Sequence, residues 1–518
     1  MIYKTNNNTS IYLCIIVVLE TLYFISCNIG TLSFQGDSSQ NKRVLFSERE
    51  HAFRAQLARE SRYREMAQQI VTRMHTEALV AQVLMTGVAG RDSLSPEMKK
   101  LLSEIPVGAI MLFKYNIADS PRGVYTFIAE CTTTAAQPLP EQVDTSTPST
   151  AGTSTVAEIN RLLPFVAIDH EGGDVYRLGQ VATHMPPASR YLSVSLEIAG
   201  RGTTRGPSQQ NTAGRPRSAG SIASTAHLGS TTDSRLAIHD DTWFTIRQAA
   251  YLSGRELRSL GITMNLAPVA EPLAPENRDF LQNRSFAADP TAVAAAAAAF
   301  IQGMGEAGVT CVVKHFPLSA AADPHHGTSV LTIDKQGLSN LVAPFEALLK
   351  NRKHIIDLET LYPKSLITLP IQPGGVMVAH TIVTPIDEKF PASLSNRVLH
   401  SWIRESLGFS GIVLTDDFAM KAITDAGYTV EGAIIHALKA GSDMVMVWPR
   451  DLRRIHRILV EQAKSDTLFR ERLVDAASRI ITLKLLQGLM ESPTAFNDEG
   501  YDCMRKATEQ FLRERNLR

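Results

Sequence analysis

Cysteine is scarce in this chain of 518 residues: Cys14, Cys27, Cys131, Cys311 and Cys503 are all there are, and no two form a CxxC pair. Cys311 sits inside an apolar run, so the set supports neither a disulfide framework nor a zinc site. Net charge is missing as well. Lys and Arg total 52, as do Asp and Glu, which leaves no overall field to recruit nucleic acid or an anionic surface. The substrate is expected to be neutral or recognised locally. Gly200-Arg-Gly202-Thr-Thr-Arg-Gly206 has no strand before it, which excludes a dinucleotide site. His170-Glu-Gly-Gly-Asp174 lacks the second histidine of a zinc-protease helix, and His325-His326 has no further ligand at metal spacing. No metal and no cofactor are expected.

What is present begins with Lys4, a polar segment and the apolar run Ile11–Ile25. That run has the length of a signal-peptide core and is short for a span of ~20 residues. Phe24-Ile25-Ser26-Cys27 resembles a bacterial lipoprotein cleavage box. Residues 1–27 are therefore expected to direct the chain out of the cytoplasm and leave it lipid-anchored at Cys27; an uncleaved anchor or an ordinary signal is the alternative. Residues 28–45 read as a polar tether. From Ser47 to Met74, Phe53, Leu57, Met66, Ile70 and Met74 recur at helical spacing in a charged background, the pattern of an amphipathic packing helix.

Short apolar runs then alternate with helical patterns. Ala81–Gly87, Val107–Phe113, Pro164–Ile168, Gly261–Leu266, Gly308–Val313, Gly375–Ala379, Gly411–Thr415 and Ser442–Val447 read as buried parallel strands. Asp289 is placed to cap a helix that opens on Pro290. Polar residues gather just after the strand ends. This pattern predicts an α/β chain with a (β/α)8, TIM-like barrel as its single catalytic domain, over about residues 75–490. A doubly wound sheet would bring fewer of these ends to one place. Residues 132–158 and 202–234 are low-complexity stretches, expected as loop insertions, and 491–518 reads as a charged C-terminal tail.

The chain centres on Gly308-Val-Thr-Cys-Val-Val-Lys314-His315-Phe316-Pro317 and the loop that follows it, with Asp323-Pro-His325. In an extended loop residues i and i+2 point the same way, so Asp323 can hydrogen-bond one ring nitrogen of His325 and leave the other for acid/base work. Asp169, Arg177, Arg284, Lys314 and His315 lie at or beyond other strand ends and carry groups suited to sugar hydroxyls. Asp416 ends Gly411-Ile-Val-Leu-Thr. A glycosidase needs one group to protonate the leaving oxygen and, if retaining, a carboxylate to attack the anomeric carbon. Asp416 and the Asp323–His325 pair offer both. Asp417 is the alternative attacking group, and His315 the one residue that strand capping alone could explain. Trp243 and Trp402 sit in helical patterns and read as packing residues, His326 as a solvated neighbour, and His380 as a residue lining the pocket.

Six segments in order resemble the bacterial β-N-acetylhexosaminidases of glycoside hydrolase family 3. They are Ile168-Asp169-His-Glu-Gly-Gly-Asp-Val-Tyr-Arg177, Asn265-Leu-Ala-Pro-Val, Asn283-Arg284-Ser-Phe, Lys314-His315-Phe-Pro, Asp323-x-His325 and Gly408-Phe-Ser-Gly-Ile-Val-Leu-Thr-Asp416-Asp-Phe-Ala-Met. The resemblance implies that Asp416 is the nucleophile, that His325 oriented by Asp323 is the general acid and then base, and that Asp169, Arg177, Arg284, Lys314 and His315 hold an N-acetylglucosamine unit. It implies a β-linked amino-sugar glycan or muropeptide as substrate. The family follows Lys-His-Phe-Pro with Gly-His-Gly; here a shorter Leu318-Ser-Ala-Ala-Ala322 stands instead, Pro324 stiffens the dyad, and His170 and Asp174 replace a glutamine and an arginine. Two rivals remain open: a relative using another β-glycoside or a phosphate acceptor, and a catalytically impaired, sugar-binding surface protein.

Overall fold

Uninterrupted apolar runs can only be satisfied where both faces of a strand are covered, and that is where they lie. The computed structural model describes residues 38–140, 161–193, 240–322, 326–327, 329–350, 372–490 and 495–518. Its eight main strands are β1 (Leu84–Gly87), β2 (Ala109–Leu112), β3 (Phe165–Ile168), β4 (Met264–Asn265), β5 (Thr310–Phe316), β6 (Gly375–Val378), β7 (Ile412–Thr415) and β8 (Val445–Val447). Neighbours pair in parallel in the order β7-β6-β5-β4-β3-β2-β1-β8. A parallel bridge between Leu414 and Met444, with Asp443 N–H donating to the Val413 carbonyl at 2.8 Å, brings β7 beside β8 and completes the ring. The (β/α)8 barrel expected from the sequence is therefore present; β5 runs on through Lys314 and His315 to Phe316, but most strands are shorter. Ala81 and Gln82, for example, belong to a helix.

The main helices are α1 (Ser38–Arg73), α2 (Thr76–Gln82), α3 (Pro96–Glu104), α4 (Pro121–Thr134), α5 (Asp240–Ser259), α6 (Pro290–Glu306), α7 (Lys335–Leu349), α8 (Val430–Ala440), α9 (Pro449–Ser465), α10 (Thr467–Leu486) and α11 (Asp498–Glu514). α6 starts where expected: Asp289 Oδ1 accepts from Thr291 N–H at 3.1 Å, with Pro290 in the first turn. Contacts divide the chain into Met1–Arg54 and Ala55–Arg518, and α1 runs through the boundary. Beyond it, Met66, Ile70 and Met74 are buried, in a cluster with Leu79, Leu162, Ile481 and Leu485. Leu57 is exposed. Both tryptophans expected to pack do so: Trp243 is buried, and Trp402 meets the Phe316 ring at 5.0 Å.

The segment 491–518 is more than a charged tail. Tyr501, Thr508 and Leu512 recur on one face of α11 and are buried, while the charges take the other faces; Tyr501 Oη donates to the Val181 carbonyl at 3.0 Å. Ile11–Ile25 and Cys27 lie outside the described residues, as do most of the two low-complexity stretches. The described start of the first, residues 132–140, ends α4 at Thr134 and pairs Gln137–Pro138 antiparallel with Arg161–Leu162. Among the described residues no helix is long and apolar enough to cross a membrane.

The end of the barrel where the strands begin is held by two buried charged groups. Asp443 takes Val413 N–H at 2.8 Å and meets three guanidiniums, those of Arg404, Arg472 and Arg479. Burial pushes its carboxyl up, but the three cations outweigh that and hold it below the ordinary range. Lys484, on α10, is fully buried, donates to Gln82 Oε1 at 2.8 Å and lies 5.6 Å from the centre of the Phe165 ring. Burial without a counter-ion lowers it to about 7.

Two outcomes follow for stability. Asp443→Ala strands buried cations and is expected to cost about 3–5 kcal/mol in denaturant unfolding; a loss below about 1 kcal/mol would show the cluster to be incidental. For Lys484, the unfolded chain keeps the proton to about pH 10.4 while the folded chain releases it near 7. Unfolded protein thus binds more protons between those values, so stability should rise with pH there, by at most about 1.4 kcal/mol per unit. Lys484→Met should remove that rise; an unchanged slope from pH 7 to 9 would contradict the assignment.

Candidate active site

At the other end of the barrel the chain leaves each strand carrying polar groups. β3 delivers Asp169, His170 and Glu171 into a tight turn at Gly172 and Gly173, whose φ values are +95° and +56°. The turn needs glycine for space as well as for φ: a Cβ on Gly172 would lie 2.4 Å from the Pro186 carbonyl oxygen, and one on Gly173 2.8 Å from Pro187 Cβ. The turn folds the chain back, so that Arg177 Nη2 reaches Asp169 Oδ2 at 3.2 Å.

β5 meets this turn from two strands away. Lys314 Nζ is bonded to Asp169 and lies 2.6 Å from Glu171 Oε1. Arg284, from the loop after β4, grips the same Glu171 through both oxygens, Nε to Oε2 and Nη2 to Oε1, each at 2.8 Å. Glu171 and Lys314 are almost entirely shielded from water, with side chains 5% and 4% exposed. Burial works against each charge. For Glu171 the neighbouring Lys314 and Arg284 prevail and hold the carboxyl well below its usual range. For Lys314 and Arg284 the carboxylates prevail in turn and raise both cations. The network is fully charged and each member is paired, the condition under which buried ions are tolerable.

His315 extends the network. β5 changes register between Val313 and Phe316, and such an irregularity lets consecutive side chains serve one face instead of alternating. Glu271, fully buried, accepts from His315 Nδ1 at 2.7 Å, from Ser319 N–H at 2.6 Å and from Ser319 Oγ at 2.8 Å. Burial pushes Glu271 up, but these bonds and the imidazole hold it below the ordinary range. The other ring nitrogen, His315 Nε2, lies 3.4 Å from Arg284 Nη2.

Asp416 follows β7. Asp417 N–H donates to its Oδ1 at 2.9 Å, and its own N–H meets the Val378 carbonyl at 3.4 Å. The register aligns Phe316, Val378 and Thr415 on β5, β6 and β7, so Asp416 stands two strand spacings, about 10 Å, from the backbone bearing Lys314 and His315. Asp417 is committed elsewhere: one oxygen takes Trp448 Nε1–H and the other Ala419 N–H, both at 2.8 Å. A carboxylate so occupied makes a poor attacking group, which favours Asp416 of the two. His380 is buried against Ser393 Oγ at 2.7 Å and the Asp417 carbonyl at 3.1 Å, and burial lowers its pKa. It braces the β7 turn.

Asp169, Arg177, Arg284, Lys314 and His315 are thus brought into one connected cluster. Asp323 and His325 lie outside the described residues; the loop before them is fastened by Ser319 to Glu271, and the strand after them by Ser329 Oγ to Thr381 Oγ1 at 3.0 Å. His326 is exposed. Reading the sequence for site residues missed Glu171, Glu271 and Ser319. The signal for the first two was present: each sits within the stretch that follows a strand and precedes a proline or a glycine pair. Among the described residues no group of three or more His, Cys, Asp and Glu could hold a metal ion.

Comparison with known proteins agrees with this architecture. Residues 211–483 match the family model described as the glycosyl hydrolase family 3 N terminal domain. A β-hexosaminidase of Idiomarina loihiensis is 28% identical over 364 residues, covering 70% of this chain and 83% of the relative. One of Methylococcus capsulatus is 31% identical over 300 residues, 56% and 69% of the two chains. The solved structure of a family 3 β-N-acetylglucosaminidase from Paenibacillus superposes with a TM-score of 0.62 at 24% identity, over 85% of this chain and 68% of that one, which bears on the fold alone. More than half of the sequence matching one family model, on a barrel that carries its polar groups at one mouth, makes the chain a glycoside hydrolase of family 3.

Proposed function

We propose that the protein is a retaining exo-β-N-acetylglucosaminidase. It removes terminal β-linked N-acetylglucosamine, from substrates such as peptidoglycan fragments, by double displacement. What supports this reading is the charged cluster on β3–β5 at the same end of the barrel as Asp416, two strand positions away. Relatives named β-hexosaminidases support the choice of amino sugar.

In this reading Asp169, Arg177, Arg284, Lys314 and His315 orient the hydroxyls of the terminal unit. Most of the cluster's hydrogen bonds exist before substrate arrives, so little reorganisation is needed on binding. The Asp416 carboxylate attacks the anomeric carbon as His325, oriented by Asp323, gives a proton to the departing oxygen. The C–O bond to the leaving group breaks and an ester to Asp416 forms. The neutral imidazole then takes a proton from water, whose oxygen displaces Asp416 and restores the β-configuration. Lipidation at Cys27 would hold the enzyme to a membrane outside the cytoplasm, where muropeptides arise.

Asp416→Ala should lower kcat on a chromogenic β-N-acetylglucosaminide by about a thousandfold or more. A slow 2-fluoro or 5-fluoro substrate should leave a sugar adduct on the peptide carrying Asp416 by mass spectrometry; an adduct on Asp417, or none, would overturn the assignment. The leaving-group proton comes from an imidazolium, so kcat should fall as pH rises past its pKa, ordinarily ~6.5. His325→Ala should lose that alkaline limb. Release that requires phosphate would instead identify a phosphorolytic enzyme.

A further inference from the structure

Three aromatic residues on the side of the mouth away from the ion network have no part in the chemistry above. Phe113 follows β2, Tyr115 lies two residues on, and Trp448 follows β8. Their rings form a column. Phe113 and Trp448 stack with centroids 5.1 Å and planes 18° apart, and Phe113 and Tyr115 with 5.6 Å and 10°. Gly87 at the end of β1 leaves room for it, since a Cβ there would lie 3.3 Å from Phe113 and 3.6 Å from Trp448. One end of the column is tied to the reaction centre, because Trp448 Nε1–H is held by Asp417, whose N–H is held by Asp416. The other end faces water: Tyr115 is 54% exposed.

Packing accounts for Phe113 and Trp448, which are half-buried. Tyr115, at the open end of the stack, is the ring of the three left mostly exposed. β-Linked pyranoses present a flat, apolar face of axial C–H bonds, and such a face lies well on an aromatic ring whose position is already fixed. In the reading above, strands β3 to β5 supply hydroxyl recognition and β7 the attacking group, while β8, β1 and β2 carry this column. The part of a glycan still unassigned is the sugar on the leaving-group side of the scissile bond. We propose that Tyr115, backed by Phe113 and Trp448, is the platform on which that sugar lies.

The assignment rests on the glycosidase reading of Asp416, and the test separates the two. Wild type, Tyr115→Ala and Tyr115→Phe are compared on N,N′-diacetylchitobiose and on β-N-acetylglucosaminyl fluoride, whose leaving group has no ring. Loss of one stacked face should lower kcat/KM for the disaccharide about tenfold in Tyr115→Ala, leave the fluoride within about twofold, and spare Tyr115→Phe on both. Equal losses on both substrates, or none on either, would overturn the platform while leaving Asp416 in place. If wild type hydrolyses neither, the hexosaminidase reading fails. Titration of tryptophan fluorescence with chitobiose, cellobiose and xylobiose then decides: saturable quenching abolished by Tyr115→Ala sustains the platform. Absent quenching, or quenching that survives the substitution, removes it.

Discussion

One carboxylate organises the mouth of this barrel. Glu171 is buried and shared between Lys314 from β5 and Arg284 from the loop after β4. Removing any one of three such charges would leave the others in a low dielectric without compensation. The arrangement therefore contributes less to net stability than to fixing where Asp169, Arg177 and His315 sit. Because each cation already has its carboxylate, the surface at this mouth is set by protein contacts. Hydrogen-bond donors preorganised in this way do not have to be reoriented during reaction.

The ring of strands divides its chemistry by sector. The ion network occupies β3 to β5, and Asp416 follows β7 beyond the β6 histidine. The aromatic column occupies β8, β1 and β2. Asp417 joins two of these sectors, since its side chain holds Trp448 while its backbone holds Asp416 and His380. A sugar chain laid across the mouth would meet polar groups at one end and a flat apolar face at the other. The opposite end of the barrel, with Asp443 and Lys484, carries charges that face only the protein.

Much of this was legible in the sequence, for a physical reason. Strands buried on both faces must be apolar throughout, and the residues that stop them are then conspicuous, which is how Asp169, Lys314, His315 and Asp416 stood out. Strand ends were read too long where a helix ran into the strand, as at Ala81 and Gln82. Glu171 and Glu271 were not singled out, because what gives them a role is a partner far along the chain: Arg284 lies 113 residues from Glu171 and His315 44 from Glu271. The C-terminal helix was hidden by its charges, which outnumber the few apolar positions that bury it. Trp448 and Tyr115 gave no local signal, since a stack between β2 and β8 exists only once the ring is closed.

The slip in register along β5 also bears on how this scaffold can diversify. A regular ladder offers each depth of the mouth one side chain per strand, and substituting it changes one contact. Here two neighbours, Lys314 and His315, are delivered together, each engaging a different partner glutamate. Straightening the strand would turn one of them away and release its carboxylate, so the pair can be kept or lost only as a unit. A single substitution at either position therefore disturbs both glutamate contacts at this depth of the mouth.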